Sequence, residues 1–318
     1  MTSTTTRSSQ QPTSAPATWL PLAAVGVTLV FWASAFVGIR HLGHDFSPGA
    51  LSLGRLLVGT LCLGVVALLL PGGLPRPTGR QWVSIIAIGV LWFGVYNVAL
   101  NAGERRVDAG TAAMLIQVSP VLIAVLASIF LNERFTAYLA GGLALAFAGV
   151  GLISLSTAQS SGEGSNHDML GVALCLLSAL VYSISLILQK PLVARLPAIQ
   201  VTWLACTVGA IVCLPFIGQL VDQAREAPVS SSLWLVYLGV FPTAIAFTTY
   251  AYALRHMSAS NLGVTTYLVP PITIVMGLVF LDETPPSMAY VGGALALVGV
   301  AVARRKARPA AAQTSAPA

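Results

Sequence analysis

Ten apolar stretches, each about as long as a membrane-spanning helix, account for most of this chain of 318 residues. A helix needs about 20 consecutive apolar residues to cross the hydrocarbon core of a bilayer. In the first half the stretches cover residues 19–39, 48–70, 81–101, 109–131 and 135–156. In the second half they cover residues 169–189, 199–219, 233–254, 259–281 and 287–303. The sequence therefore predicts an all-α integral membrane protein with ten transmembrane helices.

The scarcity of charged residues excludes a soluble protein. Only 8% of the residues are charged and 56% are hydrophobic, whereas a soluble domain carries about 25% charged residues. The formal net charge is +6, but the cations lie in short gaps between the apolar stretches and form no basic face. We therefore expect membrane lipid around most of the chain and no nucleic-acid partner.

The distribution of lysine and arginine predicts the orientation of the helices. Of the 16 cations, 11 fall on the side of the two termini, 4 fall on the opposite side, and Arg55 lies within a stretch. Cytoplasmic loops carry the excess of positive charge. We therefore expect a multi-pass protein of the inner (plasma) membrane with both termini in the cytoplasm. Residues 1–18 are expected to be a disordered tail, residues 157–168 an external linker, and residues 304–318 a basic and then disordered tail.

A shift of 150 residues aligns the chain with itself and divides it into two repeats, residues 19–156 and 169–303. The matching residues are Gly89 with Gly239, Pro120 with Pro270, Glu133 with Glu283, and Gly149 with Gly299. Each repeat contains five helices, and because five is odd the two repeats have opposite orientations. Inverted repeats are typical of secondary transporters, with the substrate site near the midplane.

The end of each repeat also resembles a known family. The residues that carry the resemblance are Pro120, Leu131-Asn132-Glu133-Arg134, Gly141-Gly142 and Gly149, and in the second copy Pro270, Leu281-Asp282-Glu283-Thr284, Gly292-Gly293 and Gly299. They look like the closing segment of an EamA-type repeat of the drug/metabolite transporter superfamily. The resemblance covers about residues 19–303. It implies export of amino acids, other metabolites or toxic compounds, through a cavity lined by the first, third, fourth, sixth, eighth and ninth helices.

Polar and aromatic residues inside the apolar stretches are the candidates for substrate binding. An amide facing lipid would leave its donors and acceptors without partners, and the aromatic side chains lie too deep to serve as interfacial anchors. The alternative is that these residues only hydrogen-bond or pack between helices. The predicted substrate-binding residues are Trp32, Tyr96, Asn97, Gln117, Tyr182, Ser185, Thr249, Tyr250 and Tyr267.

Three prolines are candidate hinges. Pro120 and Pro270 are counterparts in the two repeats, and Pro271 follows directly. Proline removes one backbone hydrogen bond and kinks a helix, so each could move a substrate wall or a gate. Proline is also frequent in membrane helices, so plain packing is the alternative.

The charged residues divide into one buried candidate and a set at helix ends. All ten carboxylates lie in gaps or at the ends of stretches, which argues against a carboxylate proton relay. Arg55 lies about 10 Å inside a stretch at about 1.5 Å per residue, and the sequence leaves open whether it faces the protein interior or an anion, or extends to the interface. The duplicated Glu133 and Glu283 are expected to favour the start of the helix that follows each of them, with Thr136 and Ser287 as caps.

These observations favour a secondary carrier for small metabolites such as amino acids, working by alternating access, and the resemblance to EamA-type proteins implies export. A drug-efflux carrier and a non-transporting receptor or assembly subunit are the alternatives. The four histidines lie near the ends of stretches and no His-Glu-x-x-His motif occurs, so we expect no catalytic residue, no enzyme activity and no cofactor. The four cysteines have no metal-binding spacing, so no metal is expected. Association into a homo-oligomer is left open.

Overall fold

The computed structural model describes residues 19–69, 76–106, 115–160, 169–280, 287–303 and 305, and within them the protein consists of helices joined by turns and short irregular segments. In the first repeat the helices are α1 (Leu20–Leu42), α2 (Pro48–Leu69), α3 (Gly79–Gly103), α4 (Ser119–Phe130) and α5 (Ala137–Ser160). In the second repeat they are α6 (Met169–Val193), α7 (Ala198–Val212), α8 (Ile217–Glu226), α9 (Val229–His256), α10 (residues 259–280) and α11 (Ser287–Ala303). The predicted tails and the 157–168 linker lie mostly outside the described residues.

Helices α2, α3, α6 and α9 are each long and apolar enough to cross a membrane, and the pair α7–α8 makes a fifth span if its bent halves are taken together. The sequence predicted one helix over residues 199–219, and that prediction is wrong. Helix α7 ends at Val212, a 3-10 turn follows at Leu214–Phe216, and α8 leaves at an angle of 53°. Pro215 has no amide hydrogen with which to continue the preceding helix. Its counterpart Val65 does, and α2 runs on without a break.

Helices that correspond in the two repeats pack against each other in antiparallel orientation. Between α2 and α7, Gly64 lies beside Trp203, and the Thr60 hydroxyl donates to the Cys206 sulfur at 3.3 Å. Residue numbers thus rise along one helix as they fall along the other. Counterparts can pack in this way only if the repeats point in opposite directions. This geometry supports the two-repeat architecture predicted from the sequence.

The pair α5–α11 repeats the same geometry at the other side of the molecule. A Cβ atom on Gly149 would lie 2.6 Å from the Ala296 nitrogen, and one on Gly299 would lie 2.4 Å from the Ala146 nitrogen. These two contacts exchange under the 150-residue shift, as a two-fold axis between the repeats requires. The small residues of these helices therefore serve close backbone packing, as the sequence predicted.

Helices α3 and α9 each contain a π-helical segment at the same place in the repeat. The segments are Gly89–Tyr96 and Gly239–Ile245, and their first residues differ by 150. A π-helical turn leaves carbonyl groups without their usual partners, and such turns occur frequently at functional sites. The hydroxyl of Thr243 donates to the Leu238 oxygen at 2.8 Å in the second segment. Each segment begins where its helix packs against the other repeat, with Gly89 beside Val208 of α7 and Gly239 beside Val58 of α2.

The turn after α4 forms hydrogen bonds with the second repeat. Asn132 adopts a positive φ of 53°, a backbone conformation that asparagine tolerates better than most residues. This turn places the Glu133 carboxylate at the start of α10, where it accepts hydrogen bonds from the Ala259 nitrogen at 2.6 Å, the Ser260 nitrogen at 3.0 Å and the Ser260 hydroxyl at 2.6 Å. The expectation that Glu133 serves the helix after it is therefore wrong. Thr136 caps that helix instead, with its hydroxyl accepting from the Leu139 nitrogen at 3.1 Å.

We expect Glu133→Ala to lower the free energy of unfolding by about 0.5–2 kcal/mol, the usual effect of losing a helix cap. The substitution leaves two amides at the start of α10 without an acceptor. Unfolding in detergent micelles, followed by tryptophan fluorescence, measures the change. Arg134→Ala, at the exposed neighbouring residue, is the control and should change little. Equal stability of the two variants would contradict the capping role.

Candidate functional site

Five aromatic side chains from α1, α3, α6 and α9 form a cluster between the two repeats. Trp92 is its centre, with its ring centroid 5.0 Å from both Tyr182 and Phe247 and 6.1 Å from Tyr250. Trp32 contacts Tyr250 at 4.8 Å and Phe247 at 5.6 Å. Most of these pairs are tilted or edge-to-face, which are favourable arrangements for aromatic rings. We call these five residues the aromatic cluster.

The aromatic cluster holds two polar groups in an apolar setting. The hydroxyl groups of Tyr182 and Tyr250 lie 2.6 Å apart and hydrogen-bond to each other. Tyr96 adjoins this pair, with its ring 6.1 Å from that of Tyr182. Trp92, Tyr182 and Tyr250 are buried, whereas Trp32 and Tyr96 remain partly exposed. The partly exposed rings can contact a ligand directly, while the buried ones hold them in place.

The structure brings four of the predicted substrate-binding residues together in this region, namely Trp32, Tyr96, Tyr182 and Tyr250. Trp32 and Tyr182 are counterparts in the repeat, and their rings lie 6.4 Å apart. The aromatic cluster therefore lies close to the axis that relates the repeats. Sites on such an axis receive residues from both halves of a transporter.

Three other predicted residues form hydrogen bonds within the protein. Asn97 donates from its side-chain nitrogen to the Trp92 oxygen at 3.2 Å and the Phe93 oxygen at 2.9 Å, and so supports the π-helical segment of α3. Ser185 donates to the Val181 oxygen of its own helix at 2.6 Å. The Thr249 hydroxyl lies 2.8 Å from that of Thr28 and links α9 to α1.

The pair Gln117 and Tyr267 lies where α4 and α10 meet. The side-chain nitrogen of Gln117 donates to the Thr266 oxygen at 3.4 Å. The Tyr267 hydroxyl is fully buried and finds no hydrogen-bond partner among the described residues. A buried polar group without a partner costs free energy. The Tyr267 hydroxyl is therefore a group with which a bound molecule could form a hydrogen bond.

Both candidate hinge positions follow irregular turns. Pro120 lies in the first turn of α4, where its missing amide is tolerated, just after a break in the helix at residues 117–118. Pro270 and Pro271 begin the last segment of α10, just after the 3-10 turn Thr266–Leu268. The two breaks include or adjoin Gln117 and Tyr267, so a bend at either break would move one of these side chains.

The nine predicted substrate-binding residues do not include Trp92, which is the centre of the aromatic cluster, or Phe247, which contacts it and is the repeat counterpart of the predicted Asn97. Phe247 carries no polar group and Trp92 carries only its indole N–H donor, so little in the sequence separates either residue from ordinary helix packing. The usable signal is the repeat shift, because Phe247 is the counterpart of Asn97. The shift thus aligns Phe247 with a predicted substrate-binding residue of the first repeat.

Arg55 faces the protein interior, which settles the alternative that the sequence left open. Its side chain is only 6% exposed, and its Nε donates to the Thr243 hydroxyl at 3.1 Å. Thr243 belongs to the π-helical segment of α9. Arg55 is therefore a buried cation at the crossing of α2 and α9.

Comparison with known proteins yields one family. The sequence profile described as the EamA-like transporter family matches residues 18–155 and again residues 169–305. A solved crystal structure with 21% identity superposes with a TM-score of 0.73 and covers 89% of this chain and 96% of its own. At that identity the likeness concerns the fold alone.

Two curated relatives are similar over nearly their whole length. A protein of Streptantibioticus cattleyicolor named "Probable terminal-alkyne amino-acid exporter" is 36% identical over 283 residues, which is 89% of this chain and 93% of that protein. The "Uncharacterized transporter YdfC" of Bacillus subtilis is 31% identical over 274 residues, which is 85% of this chain and 86% of that protein.

Proposed function

Because the chain belongs to the EamA-like transporter family, we propose that it is a secondary carrier that exports amino acids with small apolar side chains across the plasma membrane. The observation that carries this proposal is the aromatic cluster, which both repeats build together. An apolar side chain fits against partly exposed rings such as Trp32 and Tyr96. The named activity of the relative from Streptantibioticus cattleyicolor, an amino-acid exporter by its name, supports the same class of substrate.

The membrane arrangement that goes with this proposal has ten spans and both termini in the cytoplasm. Five spans are long enough by themselves when α7 and α8 are counted together. The proposal assigns the remaining spans to the shorter apolar helices, among them α4 and α11. The excess of cations on the side of the termini supports the orientation, and the antiparallel packing of counterparts supports the inversion of the repeats.

Alternating access would arise from one repeat moving against the other. The crossings of α3 with α7 and of α2 with α9 are equivalent under the two-fold axis, as exchange between two opposed states requires. Each crossing contains the start of a π-helical segment, at Gly89 and Gly239. The breaks before Pro120 and Pro270 are the points at which α4 and α10 would bend.

Reconstitution into proteoliposomes tests the function. Vesicles loaded with unlabelled L-2-aminopent-4-ynoic acid, an amino acid with a terminal alkyne, are expected to take up the radiolabelled compound by exchange. L-phenylalanine and L-leucine in the same assay define the size of side chain accepted. We expect uptake at least about tenfold above that of protein-free vesicles, because carrier exchange accumulates label while leakage does not.

The control is a second set of vesicles that contains the protein but no internal substrate. Exchange requires substrate on both sides, so the signal should fall in these vesicles. Absence of exchange for a broad panel of amino acids, with folded protein in the vesicles, would overturn the proposed function. Exchange of cationic hydrophobic drugs in place of amino acids would favour the efflux alternative.

A further inference from the structure

Arg55 is a buried cation whose hydrogen bond within the described residues is with a neutral hydroxyl, that of Thr243. In the part of the chain that the structure describes, no carboxylate lies within ion-pair distance of its guanidinium. The ionisable groups near enough to interact with it electrostatically are Tyr96, Cys206 and Glu104. A charge in this position is costly in a membrane protein and in most cases marks a functional site.

The guanidinium also has unused hydrogen-bonding capacity. It carries five N–H donors in a planar fork, and only Nε is engaged within the described residues, with the Thr243 hydroxyl. The two terminal nitrogens form the part of the fork that binds a carboxylate with two parallel bonds. A buried arginine with that edge unused is suited to an anionic ligand.

Asn101 provides a complementary group on the neighbouring helix. Its side-chain nitrogen donates to the Ser52 hydroxyl at 3.1 Å, and its side-chain oxygen is buried without a donor. Ser52 and Arg55 are three residues apart on α2 and therefore lie on the same face of that helix. The Asn101 oxygen without a donor and the terminal nitrogens of Arg55 thus belong to neighbouring helices, with Ser52 between them on α2.

Tyr96 joins this face to the aromatic cluster. Tyr96 lies five residues before Asn101 on α3, and its ring is 6.1 Å from that of Tyr182. Arg55 itself contacts Thr243, which lies four residues before Phe247 of the aromatic cluster on α9. The region between α2, α3 and α9 therefore runs from a cationic end at Arg55 to an aromatic end at Tyr182 and Phe247. That order matches an amino acid, which has a carboxylate and an ammonium group at one end and an apolar side chain at the other.

We propose that Arg55 binds the carboxylate of the transported amino acid and that the Asn101 oxygen accepts a hydrogen bond from its ammonium group. This inference rests on the proposed function and specifies its substrate as a zwitterion. The repeat counterpart of Arg55 is Ala205, so only the first repeat binds the charged end. The substrate then has one orientation relative to the two repeats, although the backbone is nearly symmetric.

A purely structural role for Arg55 is the competing explanation, because the bond to Thr243 also ties α2 to α9. Such a role would reduce transport of every substrate to the same degree. A carboxylate-binding role changes the preference between substrates that have the carboxylate and those that lack it. The test therefore compares matched compounds instead of total activity.

The experiment measures exchange in proteoliposomes for two matched pairs of compounds. The first pair is L-2-aminopent-4-ynoic acid and but-3-yn-1-amine, and the second is L-phenylalanine and 2-phenylethylamine, in which the amine lacks only the carboxylate. The wild-type protein, Arg55→Gln, Arg55→Lys and the control Arg225→Gln are compared. Arg225 is exposed at the end of α8, and its substitution removes the same charge from an exposed position instead of a buried one.

We expect the wild-type protein and Arg225→Gln to exchange the amino acids and not the amines. Arg55→Gln should raise the half-saturation concentration for the amino acids by about tenfold or more, the scale of a lost charge-assisted pair. Arg55→Lys should retain part of the preference because it keeps the charge without the fork. The compound 3-phenylpropanoate has the carboxylate of L-phenylalanine but lacks the ammonium group. The wild-type protein should bind it more weakly than L-phenylalanine, and this difference in affinity should be smaller in Asn101→Leu.

The outcomes separate this inference from the proposed function. Failure of the wild-type protein to exchange any amino acid overturns the proposed function and with it the inference. Exchange of amino acids with equal exchange of the amines overturns the inference alone, and this result needs no variant to fold. An unchanged half-saturation concentration in folded Arg55→Gln also overturns it.

Discussion

Gly239→Ala is expected to destabilise the protein by about 1–3 kcal/mol, the usual range for overpacking a filled core. A Cβ atom at Gly239 would lie 2.4 Å from the Cβ of Val58 and 2.9 Å from the Arg55 oxygen. Neither obstacle is the end of a flexible side chain, so α2 and α9 must move apart. Such a movement displaces the π-helical segment and Arg55 together, and we expect loss of amino-acid exchange along with stability. Unfolding in detergent micelles and exchange in proteoliposomes measure the two effects.

The equivalent crossing in the other half predicts the same outcome for Gly89→Ala. Its Cβ atom would lie 2.5 Å from the Cβ of Val208 and 2.7 Å from the Ala205 oxygen. Gly141→Ala is the matched control, because Gly141 is a helical glycine with nothing within 4 Å of a built Cβ atom. It should be neutral or stabilising, by up to about 1 kcal/mol from helix propensity. If Gly239→Ala and Gly89→Ala were both as stable as Gly141→Ala, the helices would not approach each other closely at these two glycines.

Trp92→Ala is expected to have the largest effect of any single truncation in the aromatic cluster, about 3–5 kcal/mol of unfolding free energy. The side chain is 1% exposed, and its ring contacts those of Tyr182, Phe247 and Tyr250. Its removal leaves a cavity at the point where four helices meet, and the partly exposed rings lose their support. We expect unfolding at lower temperature and little exchange activity.

The matched control is Trp82→Ala in the same helix. Trp82 is 38% exposed, so its truncation removes much less buried surface and should cost less than about 1 kcal/mol. Both variants lose one tryptophan, which keeps the change in intrinsic fluorescence comparable. Near-equal stability of the two variants would show that the aromatic cluster does not hold the helices together.

Much of the fold could be predicted because it depends on composition and on the repeat. Apolar length predicts where helices run, and the shift by 150 residues predicts which helices are counterparts. The break between α7 and α8 was missed because Pro215 lies inside an otherwise uniform apolar stretch, where proline is ordinary in membrane proteins. A proline bends a helix only to the extent that the surrounding packing permits, and that packing is not visible in a linear pattern.

The site could be predicted in part for a similar reason. Polar atoms mark residues such as Tyr96 and Tyr182 within apolar helices, so the sequence identifies them. It does not separate Asn97, whose amide serves the backbone of its own helix, from a residue that meets a ligand. Nor does it select Trp92, since the linear pattern does not separate a tryptophan that packs between helices from one that contacts a ligand. These distinctions depend on which atoms contact each side chain, and those atoms belong in part to residues far away in the sequence.

The sequence by itself determined the helical class, the two repeats and their opposed orientation, because each follows from local apolar length and from a shift that needs no contact. The tertiary structure alone decided which carbonyl lies against Gly239, which helix Glu133 caps, and that Arg55 is buried. Each of these is a contact between segments far apart in the chain. The choice depends on how closely glycines allow the helices to approach and on the cost of leaving a buried polar group without a partner.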